Sequence, residues 1–157
     1  MEGRQKVIEA LNQALKEELG AINQYFIHAE MCEHWHYDRL GDLIRKQSID
    51  EMKHAEALIE RILFLNGSPS MMEPMQITIG PNVKAQLESD LALEFGAVKM
   101  YNRAVETARE ESDNASRELF ERLLKDEEEH VDWLEAQLHQ IEEIGYERYL
   151  SGQIRKD

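Results

Sequence analysis

Six residues of the chain fall into three pairs that share one spacing. Glu18 and Glu94, Glu51 and Glu127, and His54 and His130 each stand 76 residues apart (94 − 18, 127 − 51, 130 − 54). Their surroundings repeat too: Glu18-Leu-Gly-Ala-Ile-Asn-Gln-Tyr25 is matched by Glu94-Phe-Gly-Ala-Val-Lys-Met-Tyr101. Glu51 and His54, like Glu127 and His130, form a Glu-x-x-His pair, and on a helix residues three apart lie on one face, one turn apart. Four Glu and two His related by an internal repeat are the ligand set of a di-metal carboxylate site in a four-helix bundle.

The apolar spacing predicts the helices that such a site needs. Ile8, Leu11, Leu15, Glu18, Ile22, Tyr25 and Ala29 alternate steps of three and four, the signature of a buried helical seam, and this first helix is expected to reach about Glu33. A second, roughly Arg39 to Asn66 with Asp38 as its cap, carries Leu40, Ile44, Gln47, Glu51, His54, Leu58, Ile62 and Leu65. Its short connection to the first makes the two antiparallel. Asn66-Gly67-Ser68-Pro69 ends it, and Gly80-Pro81-Asn82 opens the third. The fifteen or so residues between can span about 50 Å when extended, more than the roughly 40 Å of a helix this long. Helices two and three are therefore expected to run parallel across one long crossover, with Gln76–Ile79 as an extended strip. The third helix (about Asn82 to Glu111) carries Leu87, Leu91, Glu94, Val98, Tyr101, Val105 and Ala108. The fourth (about Ala115 to Ile144) carries Phe120, Leu123, Glu127, His130, Leu134, Gln137 and Ile141. Gly145 ends it, and Tyr146 to Ile154 is expected to be a short fifth helix packing outside the bundle. The reading is all-α: one domain over 1–157, with the bundle at about 4–144 and the short helix at about 146–154.

On each seam the ends are apolar and the middle is polar. A lone buried carboxylate is costly unless something positive sits beside it. The repeat assigns Glu18 and His54 to one metal and Glu94 and His130 to the other, with Glu51 and Glu127 bridging. Oxygen-rich ligation with two imidazoles suits iron or manganese better than zinc. The alternative is six ordinary charged positions paired with Lys or Arg. It fails jointly, because all six fall at one level of a repeat and no neighbouring seam position is basic. Tyr25, Tyr101 and Trp133 read as core aromatics, with Tyr25 also able to hydrogen-bond a site carboxylate or donate an electron. Asp50 and Asp126, paired by the same repeat, read as solvated or as outer partners of the site. His34 and His36 read as exposed, and His28 and His139 belong to no motif.

Composition narrows the function. The 18 basic and 32 acidic residues give a net charge of −14, which argues against nucleic-acid binding and draws cations towards the surface. The single Cys32 excludes an intrachain disulfide and a four-thiolate site. Met-Glu-Gly-Arg-Gln-Lys carries no apolar leader and no stretch reaches membrane-spanning length, so a cytoplasmic protein without membrane contact is expected. Ile49, Met52, Ile59 and Leu63 on helix two, with Leu19, Asn23 and Phe26 on helix one, form a second apolar stripe. Such stripes mark subunit contacts, here a two-fold one with Met52 near its own copy. On packing grounds alone Met52 is filler.

Ser48-Ile-Asp-Glu-Met-Lys-His-Ala-Glu56 closely resembles the bacterioferritins. So do Ala21-Ile-Asn-Gln-Tyr-Phe26, Glu60-Arg-Ile-Leu-Phe-Leu65, Ser89-Asp-Leu-Ala-Leu-Glu94 and Asp126-Glu127…His130…Asp132-Trp-Leu-Glu135. The resemblance runs from Lys6 to Ile154. It implies a ferritin-like bundle in a hollow homo-oligomeric 24-subunit shell built from two-fold dimers. Ferrous iron would be oxidised there by oxygen or hydrogen peroxide at an intrasubunit di-iron centre and stored as ferric mineral. It further implies haem b between paired subunits with Met52 of each as axial ligand, a ferredoxin-type electron donor for iron release, and a C-terminal segment lining the four-fold axes. The chain departs from the family at Lys46, where a His that acts with Asp50 is common, at Gln47 for Glu, and at Leu58 for Tyr. The competing classes are a haem-free iron store, a peroxide-reducing or manganese-catalase-like bundle, and a helical scaffold with a buried charge network.

Overall fold

The computed structural model describes residues 1–70 and 75–155. Five helices follow in order: α1 (Gln5–His34), α2 (Asp38–Phe64), α3 (Val83–Glu110), α4 (Asn114–Ile144) and α5 (Tyr146–Ser151). Asn82 and Asp113 start α3 and α4 by accepting from the Ala85 and Ser116 amides at 2.9 and 3.0 Å. Asp38, expected as a cap, is instead the first residue of α2, and the capping position falls to Tyr37, whose side chain caps nothing. Gly145 ends α4 at φ 90°, a conformation that side chains rarely tolerate.

Helices α1 and α2 form one hairpin, and α3 and α4 another. The Gly3 amide donates to Leu65 O at 3.1 Å, placing the start of α1 beside the end of α2. Arg61, near the end of α2, donates to Ser116 Oγ and Asp113 Oδ1 at the start of α4, both at 2.9 Å. The Lys84 amide donates to Tyr146 Oη at 3.2 Å, joining the start of α3 to the end of α4. Helices α2 and α3 therefore run parallel, and the crossover returns along the bundle as its length allows.

Two apolar clusters close the bundle at either end. One gathers Leu11, Leu15, Leu58, Ile62, Tyr101 and Phe120. The other gathers Tyr25, Leu40, Ile44, Leu87, Leu134 and Tyr149. Every residue named above for the seams of α2 and α4 is buried. On α1 and α3 the buried band is broader: Ile8, Ile22, Leu91, Val98 and Val105 are half-buried, while Ala14, Ala21, Ala97 and Ala104 lie inside. Helix α5 does not pack away from the bundle as expected. Its Tyr149 is buried in the second cluster and donates to Gln137 Oε1 at 2.7 Å, and the Arg39 amide donates to Gln153 O at 3.0 Å. Ile154 lies beyond the helix and remains exposed.

The end of the crossover is held by buried polar groups. Thr78 and Gly80 donate their amides to Gln24 Oε1 and His28 Nε2 at 3.0 and 3.1 Å. Gln24 Nε2 donates to Asp90 Oδ1, and His28 Nδ1 lies against the same oxygen, both at 2.9 Å. Because Nε2 accepts from Gly80, the ring proton belongs on Nδ1 and is donated to Asp90. Burial raises the pKa of Asp90, while His28 and Gln24 pull against that rise. Gly80 is required by contact, since a Cβ there would come within 2.4 Å of the Gln86 amide nitrogen. His28→Ala strands the Gly80 amide and removes one of the two donors to Asp90 Oδ1, and is expected to destabilise the fold by about 2–4 kcal/mol. Thermal or urea unfolding measures this, and a loss under about 0.5 kcal/mol, typical of a surface change, would contradict it.

Candidate metal centre

Between the two apolar clusters the four helices turn carboxylates and imidazoles inward. Glu18 comes from α1, Glu51 and His54 from α2, Glu94 from α3, and Glu127 and His130 from α4. None of the six is more than 8% exposed. They make two overlapping groups, Glu18–Glu51–His54–Glu127 and Glu51–Glu94–Glu127–His130, and within each one ligand atom per residue lies within 4.8 Å of the others. Glu51 and Glu127 belong to both. The partition matches the one that the repeat assigns.

Distances within the cluster follow the same pseudo-symmetry. His54 Nδ1 lies 2.9 Å from Glu127 Oε1, 3.3 Å from Glu18 Oε2 and 3.6 Å from Glu51 Oε1. His130 Nδ1 lies 3.1 Å from Glu51 Oε1 and 3.6 Å from Glu94 Oε1. These approaches lack hydrogen-bond geometry. Both Nδ1 atoms, both Glu127 oxygens, Glu18 Oε2, Glu51 Oε1 and Glu94 Oε2 are buried without a hydrogen-bond partner. Among the described residues, the ion-pair partners of the four carboxylates are the two imidazoles, with no Lys or Arg. Orphaned buried acceptors are rare in folded proteins. Two divalent cations fit the donor set: each would meet one imidazole nitrogen and carboxylate oxygens, a mixture suited to iron or manganese.

The partners behind the cluster cross between hairpins. Tyr101 Oη donates to Glu18 Oε1 at 2.6 Å, and Tyr25 Oη makes a short hydrogen bond to Glu94 Oε1. Asp126 Oδ2 lies 3.0 Å from His54 Nε2, and Asp50 Oδ2 lies 3.5 Å from His130 Nε2. An outer carboxylate of this kind fixes the tautomer and orientation of a ligating imidazole. A cleft of about 280 Å³ lined by Asp50, Lys53, Asp126 and Glu129 reaches both imidazoles from the α2–α4 side. The tyrosines, read first as core residues, thus also serve the site carboxylates, and Asp50 and Asp126 are imidazole partners as well as half-solvated groups. Trp133 packs against the second cluster, and His34, His36 and His139 are exposed. Met52 is kept away from the cluster, 47% exposed on the outer side of α2 beside exposed Ile49. The buried His28–Asp90 pair carried no repeat signal, since its counterparts 76 positions away are Ala104 and Ala14. Its only sequence clue is that Asp90 stands one helical turn before Glu94.

Most of these groups are shifted towards their protonated forms, whereas Glu94, against burial, is pulled down by Glu127, His130 and Tyr25. Burial, then the carboxylates of Glu18 and Glu127, pushes Glu51 well above the usual carboxylate range. Burial with Glu18 and Glu94 does the same to Glu127. Burial opposes the charged form of His54, yet Glu127 and Glu18 push its pKa up to about 11. His130 is also raised against burial, chiefly by Glu94. Glu51, Glu127 and both imidazoles are shifted towards their protonated forms, so a cation entering the cluster would compete with protons for these ligands. Loading with a divalent cation is therefore expected to release protons. Affinity should fall as pH is lowered, because a larger share of the ligand groups then carries a competing proton. Titration in weakly buffered solution with a pH indicator reads both; proton-neutral binding would contradict this assignment.

Residues 8–144 match the ferritin-like domain family. The chain is 46% identical to the bacterioferritin of Brucella melitensis, over 95% of this chain and 92% of that protein. It is 41% identical to the bacterioferritin of Streptomyces coelicolor, over 99% and 93%. It is 40% identical to the bacterioferritin of Mycolicibacterium paratuberculosis, over 95% and 94%. With a buried Glu–His cluster at the waist of a four-helix bundle and similarity of this extent, the chain belongs to the bacterioferritin family of ferritin-like proteins.

Proposed function

We propose that the protein oxidises ferrous iron at the waist of the bundle and stores the ferric product inside a 24-subunit shell. The observation that carries this reading is the pair of overlapping Glu–His groups sharing Glu51 and Glu127, with their inner atoms lacking hydrogen-bond partners. Two ferrous ions are the substrate. Glu18 and His54 would hold one, Glu94 and His130 the other, and Glu51 and Glu127 would bridge them. Each iron gives up one electron, so the pair supplies the two electrons and, with two protons, reduces oxygen to hydrogen peroxide or peroxide to water. The bridging carboxylates keep both ions in one frame, and the imidazoles, backed by Asp126 and Asp50, are fixed in direction. The cleft on the α2–α4 side supplies a route for solvent and ions.

The wider assembly belongs to the same reading. The chain acts as one ferritin-like domain in a cytoplasmic homo-oligomer of two-fold dimers. Haem b would be held between paired subunits by Met52 of each, and a ferredoxin-type donor would return electrons for iron release. Supporting it are the family, the exposure of Met52, and the apolar surface about it formed by Ile49, Phe26 and Leu63, each at least 46% exposed. Methionine sulfur is a soft ligand that supports low-spin haem iron. With Lys46 exposed where the family commonly has His, an accessory inner-surface iron on Asp50 is not part of the proposal.

Stopped-flow mixing of ferrous iron with metal-free protein in air is expected to show a fast phase saturating near two irons per chain. Glu94→Ala should slow it at least about a hundredfold, the scale of removing a catalytic group. A protein without any fast phase would not be a ferroxidase, and rapid oxygen evolution from peroxide with bound manganese would place it in the catalase-like class instead. Separately, the purified protein is expected to show a haem Soret band that Met52→Leu abolishes while the oligomer stays intact on size exclusion. A band retained in Met52→Leu would move the haem elsewhere.

A further inference from the structure

The exchange of tyrosines across the repeat gives Tyr101 a role of its own. Tyr101 is fully buried on α3, yet its hydroxyl serves Glu18 on α1, in the opposite hairpin. It occupies Oε1 of that carboxylate and leaves Oε2, which has no hydrogen-bond partner, facing His54 Nδ1 at 3.3 Å. The ring itself is held in orientation by Phe120 on α4, with centroids 6.3 Å apart and planes inclined by 48°. A carboxylate on a helix otherwise keeps rotamer freedom about its terminal torsion, and a hydrogen bond to one oxygen removes it. Among the described residues Tyr101 is the hydroxyl that donates to Glu18, from outside the ligand cluster, so the aim of this carboxylate depends on it.

We propose that Tyr101 is a positioning residue that presents Glu18 to the cation shared with His54, and so tunes the affinity of that half of the centre more than that of the other. Tyr25 stands in the same relation to Glu94, but Tyr101 alone serves Glu18. The inference rests on the di-metal reading above and deepens it. Outer partners of metal ligands are typically worth about ten- to a hundredfold in affinity.

The test is a titration of the metal-free full-length protein with cobalt(II), followed by visible ligand-field absorption and by calorimetry, in wild type and Tyr101→Phe. The phenylalanine keeps the ring on Phe120 and removes only the hydroxyl. About a tenfold or greater weakening confined to one of two bound cobalt ions is expected, with a changed ligand-field band for that ion. In a His130→Ala background, which disables the Glu94 half, Tyr101→Phe should still weaken the remaining ion while Tyr25→Phe should not. Phe120→Leu, which frees the ring but keeps the hydroxyl, should give a smaller loss at the same ion. Equal weakening of both ions, or a lowered melting temperature with both affinities unchanged, would reduce Tyr101 to a packing residue and overturn the proposal. If wild type takes up no cobalt, the di-metal reading itself falls, which the wild-type titration shows before any variant is compared.

Discussion

Four carboxylates buried at the middle of a small bundle are the constraint to which the rest of the structure answers. Moving an ionised carboxylate out of water costs several kcal/mol even after relaxation, and here four lie together with two imidazoles as their ion-pair partners. Burial and the neighbouring carboxylates push Glu51 and Glu127 up towards their neutral forms, which lowers that cost. A pair of divalent cations removes the need for those protons. The site is therefore a local weakness that would become a strength on loading, since a ligand bound only by the folded state adds its binding free energy to stability.

Such a waist persists because the bundle is closed firmly on both sides of it. Fully buried Leu11, Leu15, Leu58, Ile62 and Phe120 pack on one side, and Leu40, Ile44, Leu87, Leu134 and Tyr149 on the other. Each fully buried large apolar side chain contributes about 1.5–3 kcal/mol, enough in aggregate to hold helices that would otherwise separate to hydrate their glutamates. The crossover adds a third restraint through Gln24, His28 and Asp90, which fix its last residues to α1 and α3.

Legibility in the sequence varied with how many neighbours a helix faces. The seams of α2 and α4 could be read residue by residue, and Leu40 through Leu65 and Phe120 through Ile141 are buried as spaced. Helices α1 and α3 pack on each other as well as on their hairpin partners, so they bury a wider band in which small residues such as Ala14 and Ala104 lie deeper than Ile22 or Val105. Periodicity weighted by hydrophobicity does not see that. The cluster itself was legible because duplication marks it twice. Where the halves differ the signal vanishes: His28 and Asp90 face alanines in the repeat, and the docking of Tyr149 on Gln137 has no counterpart at all. Asn82 and Asp113 cap α3 and α4 through their side chains, whereas Asp38, expected as a cap, lies inside α2 as its first residue.

The two overlapping groups are not divided between the two hairpins. Each takes three residues from one hairpin and one bridging glutamate from the other: Glu127 reaches into the first, Glu51 into the second. The tyrosine and aspartate partners cross in the same way. Neither hairpin alone owns a complete coordination sphere, so any cation held at the waist acts as a clasp between them. Parting the hairpins would open both spheres at once, so an occupied centre would lock the closure of the bundle and its emptying would loosen the whole subunit.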